Sequence, residues 1–85
     1  MELVKWWIEE QTKQVCRNLS AVLMQQNIWL KNVIKTTIFL KNIDDFEKVN
    51  DIYKNYFILK PARSTLEVSA LPKWALVEIE AIATT

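Results

Sequence analysis

Residues 33–57 read VIKTTIFLKNIDDFEKVNDIYKNYF, and they decide the fold because the spacing of their apolar side chains changes partway along. The first eight, Val33–Leu40, are rich in β-branched residues and too few for a stable helix, which predicts a buried strand. Asn42 or one of the two aspartates after Ile43 can cap a second helix. The apolar positions of that helix are Phe46, Val49, Tyr53 and Tyr56 or Phe57.

Two further segments lie outward from this stretch. Upstream, residues 7–27 have a helical pattern, with two acids in the first turn and apolar positions on one stripe at Ile8, Val15, Leu19, Val22 and Leu23. Downstream, Pro61 ends the second helix, because the residue before a proline is pushed toward extended geometry. The sequence therefore alternates helix, strand, helix before its last third.

The last third alternates apolar and polar residues with period two. Residues 64–70 and 75–83 flank the connector LPKW at 71–74, which predicts an antiparallel hairpin. If Ala70 faces Ala75, one face carries Leu66, Val68, Val77 and Ile79 toward the core. The other face then carries Arg63, Thr65, Glu67, Glu78 and Glu80.

The order α-β-α-β-β predicts an α+β fold, in which two helices cover one face of a small sheet as a two-layer sandwich. Eighty-five residues make a single domain, spanning 1–85. At least one sheet edge is expected to be uncovered, and the second sheet face is partly polar. A chain of this size is expected to complete its burial against another chain, so we expect a homo-oligomer.

Composition removes several classes of function. The chain has no histidine, which excludes a histidine general base, a Ser-His mechanism at Ser64 or Thr65, and zinc sites that use histidine. Cys16 is the only cysteine, so it forms no disulfide within the chain, and its place beside the apolar stripe favours a buried inert thiol. A net charge of +1 without a basic stripe argues against nucleic acid as a partner. No apolar run reaches the roughly 18 to 20 residues of a membrane span, and we expect a soluble, cytoplasmic protein.

One group of charged residues could carry chemistry. Arg63, Glu78 and Glu80 share a face of the predicted hairpin. An arginine fork can hold a carboxylate through two parallel hydrogen bonds, and a nearby glutamate can position a water. The pairing suits a small anionic substrate with a reactive carbon next to its carboxylate. The alternative is an exposed cross-strand ion pair with no catalytic role.

The chain has four tryptophans and no glycine, where an average chain of this length would carry about six glycines. Tryptophans at the ends of elements are typical of interfaces, where this residue often carries binding energy. The alternative is that they cover the ends of a small core. All four are candidate interface residues: Trp6, Trp7, Trp29 and Trp74.

Two segments resemble the Rid family, the reactive intermediate (enamine/imine) deaminases. They are NVIKTTIFLKNIDDFEKVNDIYKNYF at 32–57 and KPARSTLEVSALPKWALVEIEAIA at 60–83, and IEEQTKQVCRNLSAVL at 8–23 resembles the first helix of that family. The PARSTxEV, LPK and VEIEAIA segments are the most specific. The chain corresponds to the latter part of a usual member.

The resemblance implies a chorismate-mutase-like fold and trimers with a pocket at each subunit interface. Arg63 would bind the substrate carboxylate, and Glu78 would position the water that attacks the imine. Asn50 and the backbone near Thr65 would line the same cleft. No metal or organic cofactor would be needed.

The chain also departs from the family. It lacks the several strands with which a usual member begins, and bulky residues stand near turn positions where members have small ones. These positions are Trp6, Trp7, Ile28, Trp29, Ile58 and Trp74. Bulky residues there are expected to strain positive-φ positions or to protrude into solvent.

Three interpretations follow. The first is a truncated, engineered Rid-like scaffold that self-associates without catalysis. The second is an imine deaminase that converts small 2-imino acids to 2-oxo acids and ammonia. The third is a complementing half that binds a separate N-terminal fragment along an open sheet edge.

Overall fold

A computed structural model describes residues 7–85, and it confirms the α+β class and the order of the elements. The described residues form two helices and three strands, with three short 3₁₀ turns between some of these elements. The helices are α1 (Ile8–Met24) and α2 (Phe46–Tyr56). The strands are β1 (Val33–Leu40), β2 (Ala62–Glu67) and β3 (Val77–Ala83).

Strand β1 is the central strand of the sheet, which has the order β2-β1-β3. It pairs in parallel with β2 and antiparallel with β3. The predicted hairpin between the last two strands is therefore wrong. Strand β1 is the most apolar of the three, and placing it centrally gives both its edges a hydrogen-bonding partner. Residues 68–76 then cross from one edge strand to the other instead of forming a tight turn.

Both helices lie on one face of the sheet, which we call the helix face. This face carries Thr36, Ile38 and Leu40 of β1 with Val77 and Ile79 of β3, all of them buried. The helices contribute further apolar side chains, and removing these side chains from water is the main stabilising term. The helix residues among the core are Ile8, Cys16, Val49 and Tyr53, with Phe57 directly after α2.

The register of β2 reverses the faces predicted for that strand. Arg63 pairs with Thr36 and Thr65 pairs with Ile38, so both lie on the helix face. Leu66, predicted to be in the core, pairs with Phe39 on the opposite face and is 41% exposed. A strand that is one residue out of phase exchanges every side chain between faces, and the period-two pattern alone does not fix the phase.

Helix α1 begins with Glu9 and Glu10 in its first turn, as expected from the dipole. It ends three residues earlier than predicted, and Val22 of the predicted stripe is exposed. Cys16 is fully buried, and this burial raises the pKa of its thiol to about 12. No helix within residues 7–85 is long and apolar enough to span a lipid bilayer.

The turns use left-handed backbone without glycine. Asn27, Lys60, Lys73 and Trp74 have φ between 55° and 62°. Asparagine tolerates this region, whereas a bulky side chain is strained there. Of the bulky turn residues predicted to be strained, only Trp74 has positive φ among residues 7–85, and Trp29 has an ordinary extended φ of −112°.

Candidate functional site

Arg63 contacts two aromatic rings of α2. Its guanidinium carbon is 5.1 Å from the ring centre of Phe46 and 5.0 Å from that of Tyr53. These two residues are seven positions apart, which places them on the same side of the helix two turns apart. Both distances are within the range of a cation–π contact, so the guanidinium is attracted by both rings.

Asn50 completes this cluster, and it lies on the same stripe of α2 as the two rings. Its Oδ1 accepts a hydrogen bond of 2.5 Å from Nη1 of Arg63. Within the described part of the chain, Nε and Nη2 of Arg63 donate to no protein group. Arg63 therefore keeps one in-plane pair of N–H donors free, and this fork matches the two oxygens of a carboxylate. We call Arg63, Asn50, Phe46 and Tyr53 the arginine cluster.

An open concavity of about 570 Å³ adjoins the arginine cluster and shares Phe46 with it. Thr65 forms part of its wall, two residues beyond Arg63 on the same face of β2. The preceding loop is held by Glu67, whose Oε1 accepts a 2.7 Å hydrogen bond from the backbone N–H of Ile43. The predicted residues Arg63, Asn50 and Thr65 are therefore brought to one region, which a small ligand can enter.

Glu78 does not belong to this region. It pairs with Phe39 of β1, whereas Arg63 pairs with Thr36, so the two side chains lie on opposite faces of the sheet. The prediction that Arg63, Glu78 and Glu80 share a face is wrong, because β2 lies in the other phase and on the other side of β1. Within one chain, Arg63 and Glu78 cannot act on the same small molecule.

We call the sheet face that carries Glu78 the open face, because neither helix covers it. Phe39, Leu66 and Ile82 are apolar side chains on this face, and Ile82 is 57% exposed. Glu78 and Glu80 are both exposed beside them. The open face thus combines carboxylates with apolar area that water contacts.

The three tryptophans within residues 7–85 are solvent-exposed to different degrees. Trp7 is 69% exposed, Trp29 48% and Trp74 83%. Trp6 lies outside the residues that the structure describes. The exposures argue against the alternative that these side chains cover the ends of the core, and their role in an interface stays a prediction.

Sequence reasoning missed two features of the surface. It treated Phe46 and Tyr53 only as core positions, although both contact Arg63. The spacing of Phe46, Asn50 and Tyr53 on one helical stripe is the signal that could have grouped them. It also missed an apolar groove of about 310 Å³ at the other end of α2, where Trp29, Tyr56, Ile58 and Leu59 are among the lining residues.

Comparisons with known proteins place this geometry in context. The family model described as endoribonuclease L-PSP matches residues 1–85. The human 2-iminobutanoate/2-iminopropanoate deaminase is 43% identical over 83 residues, which cover 96% of this chain and 61% of that protein.

Two solved structures are also similar. A Rid family protein of unknown function from Yersinia pestis is 56% identical with a TM-score of 0.90, covering 93% of this chain and 64% of that one. The TdcF protein of Escherichia coli, solved with bound serine, is 31% identical with a TM-score of 0.88, covering 93% and 65%. The chain spans less than two thirds of the length of each of these three relatives.

Proposed function

The chain belongs to the endoribonuclease L-PSP (Rid) family, and from this premise we propose that it carries part of an imine deaminase site. The reaction is the hydrolysis of small 2-imino acids to 2-oxo acids and ammonia, without a metal or organic cofactor. The observation that supports it most is the arginine cluster, in which Arg63 is held by two rings and Asn50 with one fork free. The name of the human relative describes this activity for that protein.

Arg63 binds the substrate carboxylate in this proposal. Its free Nε and Nη2 donate two parallel charge-assisted hydrogen bonds, which are stronger than neutral ones and bind the carboxylate equally in the ground state and in the transition state. Asn50 occupies Nη1 and so keeps the guanidinium plane in place. Thr65 lines the adjoining space.

Glu78 positions the attacking water. Its carboxylate accepts a hydrogen bond from the water, whose oxygen forms a bond to the imine carbon while the C=N π electrons move to nitrogen. A proton passes from the water to that nitrogen through Glu78. The C–N bond then breaks as C=O forms, and the hydroxyl proton passes through Glu78 to the leaving ammonia, so that one iminium acid and one water give one 2-oxo acid and one ammonium ion.

The complete site lies between two copies of the chain. Arg63 and Glu78 occupy opposite faces of the sheet, so a shared substrate requires Arg63 of one copy and Glu78 of another. The exposed open face and the exposed Trp7, Trp29 and Trp74 give the surfaces for such an assembly. We propose a homotrimer in the cytoplasm, with Trp6 among the interface residues.

A second candidate function is self-association without catalysis. It is favoured by the exposed apolar side chains of the open face and by Trp74, whose ring is 83% exposed. In this version the chain is an altered, engineered derivative whose pocket walls no longer support chemistry. The outer edge of β3, which pairs with no strand among residues 7–85, also offers a place for a strand from a separate N-terminal fragment.

Release of ammonia from a 2-imino acid generated in situ by an amino acid oxidase tests the proposal. Arg63→Ala is expected to lower kcat/KM about 100-fold or more, because an ionic hydrogen-bonded pair is lost. Glu78→Gln is expected to lower kcat by about 10² to 10⁴, the usual contribution of general acid–base catalysis.

Two matched controls accompany these variants. Arg17→Ala removes an exposed arginine on α1, and Glu80→Gln neutralises the neighbouring carboxylate of the open face. Both should keep at least half of the wild-type rate. Equal rates in wild type and Arg63→Ala would eliminate the deaminase proposal and leave self-association.

A further inference from the structure

The hydroxyl of Tyr53 is turned into the core, away from any substrate. It shares a 2.6 Å hydrogen bond with Oγ1 of Thr36, and both residues are buried. Thr36 lies on β1 and is the register partner of Arg63 on β2. The hydroxyl of Tyr53 is bonded within the core, so it is the ring of Tyr53, and not its hydroxyl, that Arg63 contacts.

The ring of Tyr53 is fixed from more than one side. Phe57 stacks on it with ring centres 4.4 Å apart and an interplanar angle of 21°. Offset stacking of this kind and the hydrogen bond to Thr36 together hold the orientation of the ring. Arg63 contacts the same ring at 5.0 Å. Arg63 and Thr36 are therefore register partners on adjacent strands, and Thr36 holds the Tyr53 ring that Arg63 contacts.

We propose that Tyr53 is a positioning residue of the site, which holds the Arg63 guanidinium so that its Nε and Nη2 edge faces the substrate carboxylate, and that Thr36 acts through Tyr53. The inference rests on the proposed function. Tyr53 touches Arg63 and not the substrate. Phe46 also contacts the guanidinium, and Asn50 accepts a hydrogen bond from its Nη1.

This role predicts where the kinetic effect falls. The carboxylate is bound in the same way in the ground state and in the transition state, since no bond to it changes. Loss of an interaction that contributes equally to both states raises KM and leaves kcat unchanged. A misaligned Arg63 is therefore expected to raise KM.

The hydrogen bond can be removed from either end by Tyr53→Phe and Thr36→Val. Each single variant leaves one buried hydroxyl without its partner, which lowers the melting temperature. The double variant removes both hydroxyls, so the melting temperature recovers part of the loss. We expect KM to rise about 3- to 10-fold in each single variant and to stay raised in the double variant, with kcat within about two-fold of wild type.

Two further variants complete the set. Tyr53→Leu removes the ring and is expected to raise KM by about 3- to 30-fold, the range of a cation–π contact. Tyr56→Phe is the matched control, because Tyr56 lies on the same helix but lines the distant apolar groove. Its KM should equal that of wild type.

A purely structural role of Tyr53 predicts a different pattern. In that case KM would be unchanged in both single variants, or it would recover in the double variant together with the melting temperature. Either result overturns the proposal, as does a fall in kcat at constant KM.

A second readout does not depend on turnover. The ¹⁵N–¹H signal of Arg63 Nε reports how rigidly the guanidinium is held. We expect a high order parameter for this N–H bond in wild type and in Tyr56→Phe, and a value below about 0.6 in Tyr53→Phe and Thr36→Val. Equal order parameters in all four proteins would overturn the positioning role. Absence of turnover in wild type together with the expected pattern of order parameters would refute the deaminase proposal alone.

Discussion

Replacing Trp74 by glycine should stabilise the protein. Trp74 has a φ of 62° and follows Lys73, which has a φ of 57°. A residue with a Cβ pays roughly 1 to 2 kcal/mol in the left-handed region, and glycine pays almost nothing. The tryptophan side chain is 83% exposed within one copy of the chain, so its removal gives up little surface that the single copy buries, and the comparison is made on the single chain at low concentration.

The expected gain is smaller than the strain itself. Glycine makes the unfolded chain more flexible, which costs about 0.4 to 1 kcal/mol of stability. The net gain of Trp74→Gly is then about 0.5 to 1 kcal/mol, which corresponds to a rise of roughly 2 to 8 °C in Tm for a domain of this size. Trp74→Ala keeps the Cβ and should stay within about 0.5 kcal/mol of wild type.

Chemical and thermal unfolding followed by circular dichroism measure these differences. Trp29→Gly is the matched control, because Trp29 has an ordinary φ of −112° and gains nothing from glycine. It should lose about 1 kcal/mol. The reasoning fails if Trp74→Gly and Trp74→Ala have the same stability, since strain at positive φ would then contribute nothing.

Three further predictions concern the core, the sheet faces and a cap. Burial raises the pKa of Cys16 from 9.0 to about 12, so the folded state keeps its proton longer than the unfolded state. Stability should be full below pH 9 and fall by about 1.4 kcal/mol per pH unit from 9 to 12, and pH-dependent urea unfolding of Cys16→Ala should lack this component. Ile38→Ala on the helix face should cost about 2 to 5 kcal/mol in urea unfolding, whereas Ile82→Ala on the open face should stay within about 0.5 kcal/mol; similar losses would contradict the assigned faces. Asn42→Ala removes the 2.9 Å hydrogen bond that the Asp44 N–H donates to Oδ1 of Asn42 and should lower Tm by an amount equivalent to about 1 kcal/mol, while an unchanged Tm would count against the cap.

The local elements could be predicted because each depends on a short pattern. Strand β1 combines β-branched residues with a length that suits a strand, and the structure has it at the predicted residues, Val33–Leu40. Helix α2 follows from its helical spacing and the proline after it. Of the predicted caps, Asn42 instead caps the 3₁₀ turn Ile43–Asp45 before the helix, and the side chain of Asp45 at the N-cap of α2 makes no capping hydrogen bond. These signals lie within one segment of chain, so no knowledge of neighbours is required.

The pairing of strands could not be predicted in the same way. Alternation in β2 shows that its residues face two ways, but the phase depends on what packs against each face. The hairpin was favoured because the two strands are adjacent in sequence, whereas the apolar β1 takes the central position. The position and phase of β2 in the structure therefore place Arg63 on the helix face and Leu66 on the open face, each opposite to the face predicted.

The site was predicted only in part for a related reason. The pattern of the last strands alone marks Arg63 as a candidate, the family resemblance adds Asn50 and Thr65, and the structure brings the three residues to one region. The aromatic rings around Arg63 were not named, because Phe46 and Tyr53 look like ordinary core positions when only their spacing is considered. Their contact with Arg63 depends on the β1–β2 register, which places Arg63 beneath α2.

Mixing two inactive variants tests the shared site most directly. Arg63→Ala and Glu78→Gln are each expected to lack activity, and a mixture that is unfolded and refolded together contains interfaces with one intact residue from each copy. In a 1:1 mixture with random assembly, about a quarter of the interfaces combine an intact Arg63 with an intact Glu78, so ammonia release should return to about a quarter of the wild-type rate. A mixture as inactive as its two components, while refolded wild type is active, would contradict a site built from two copies.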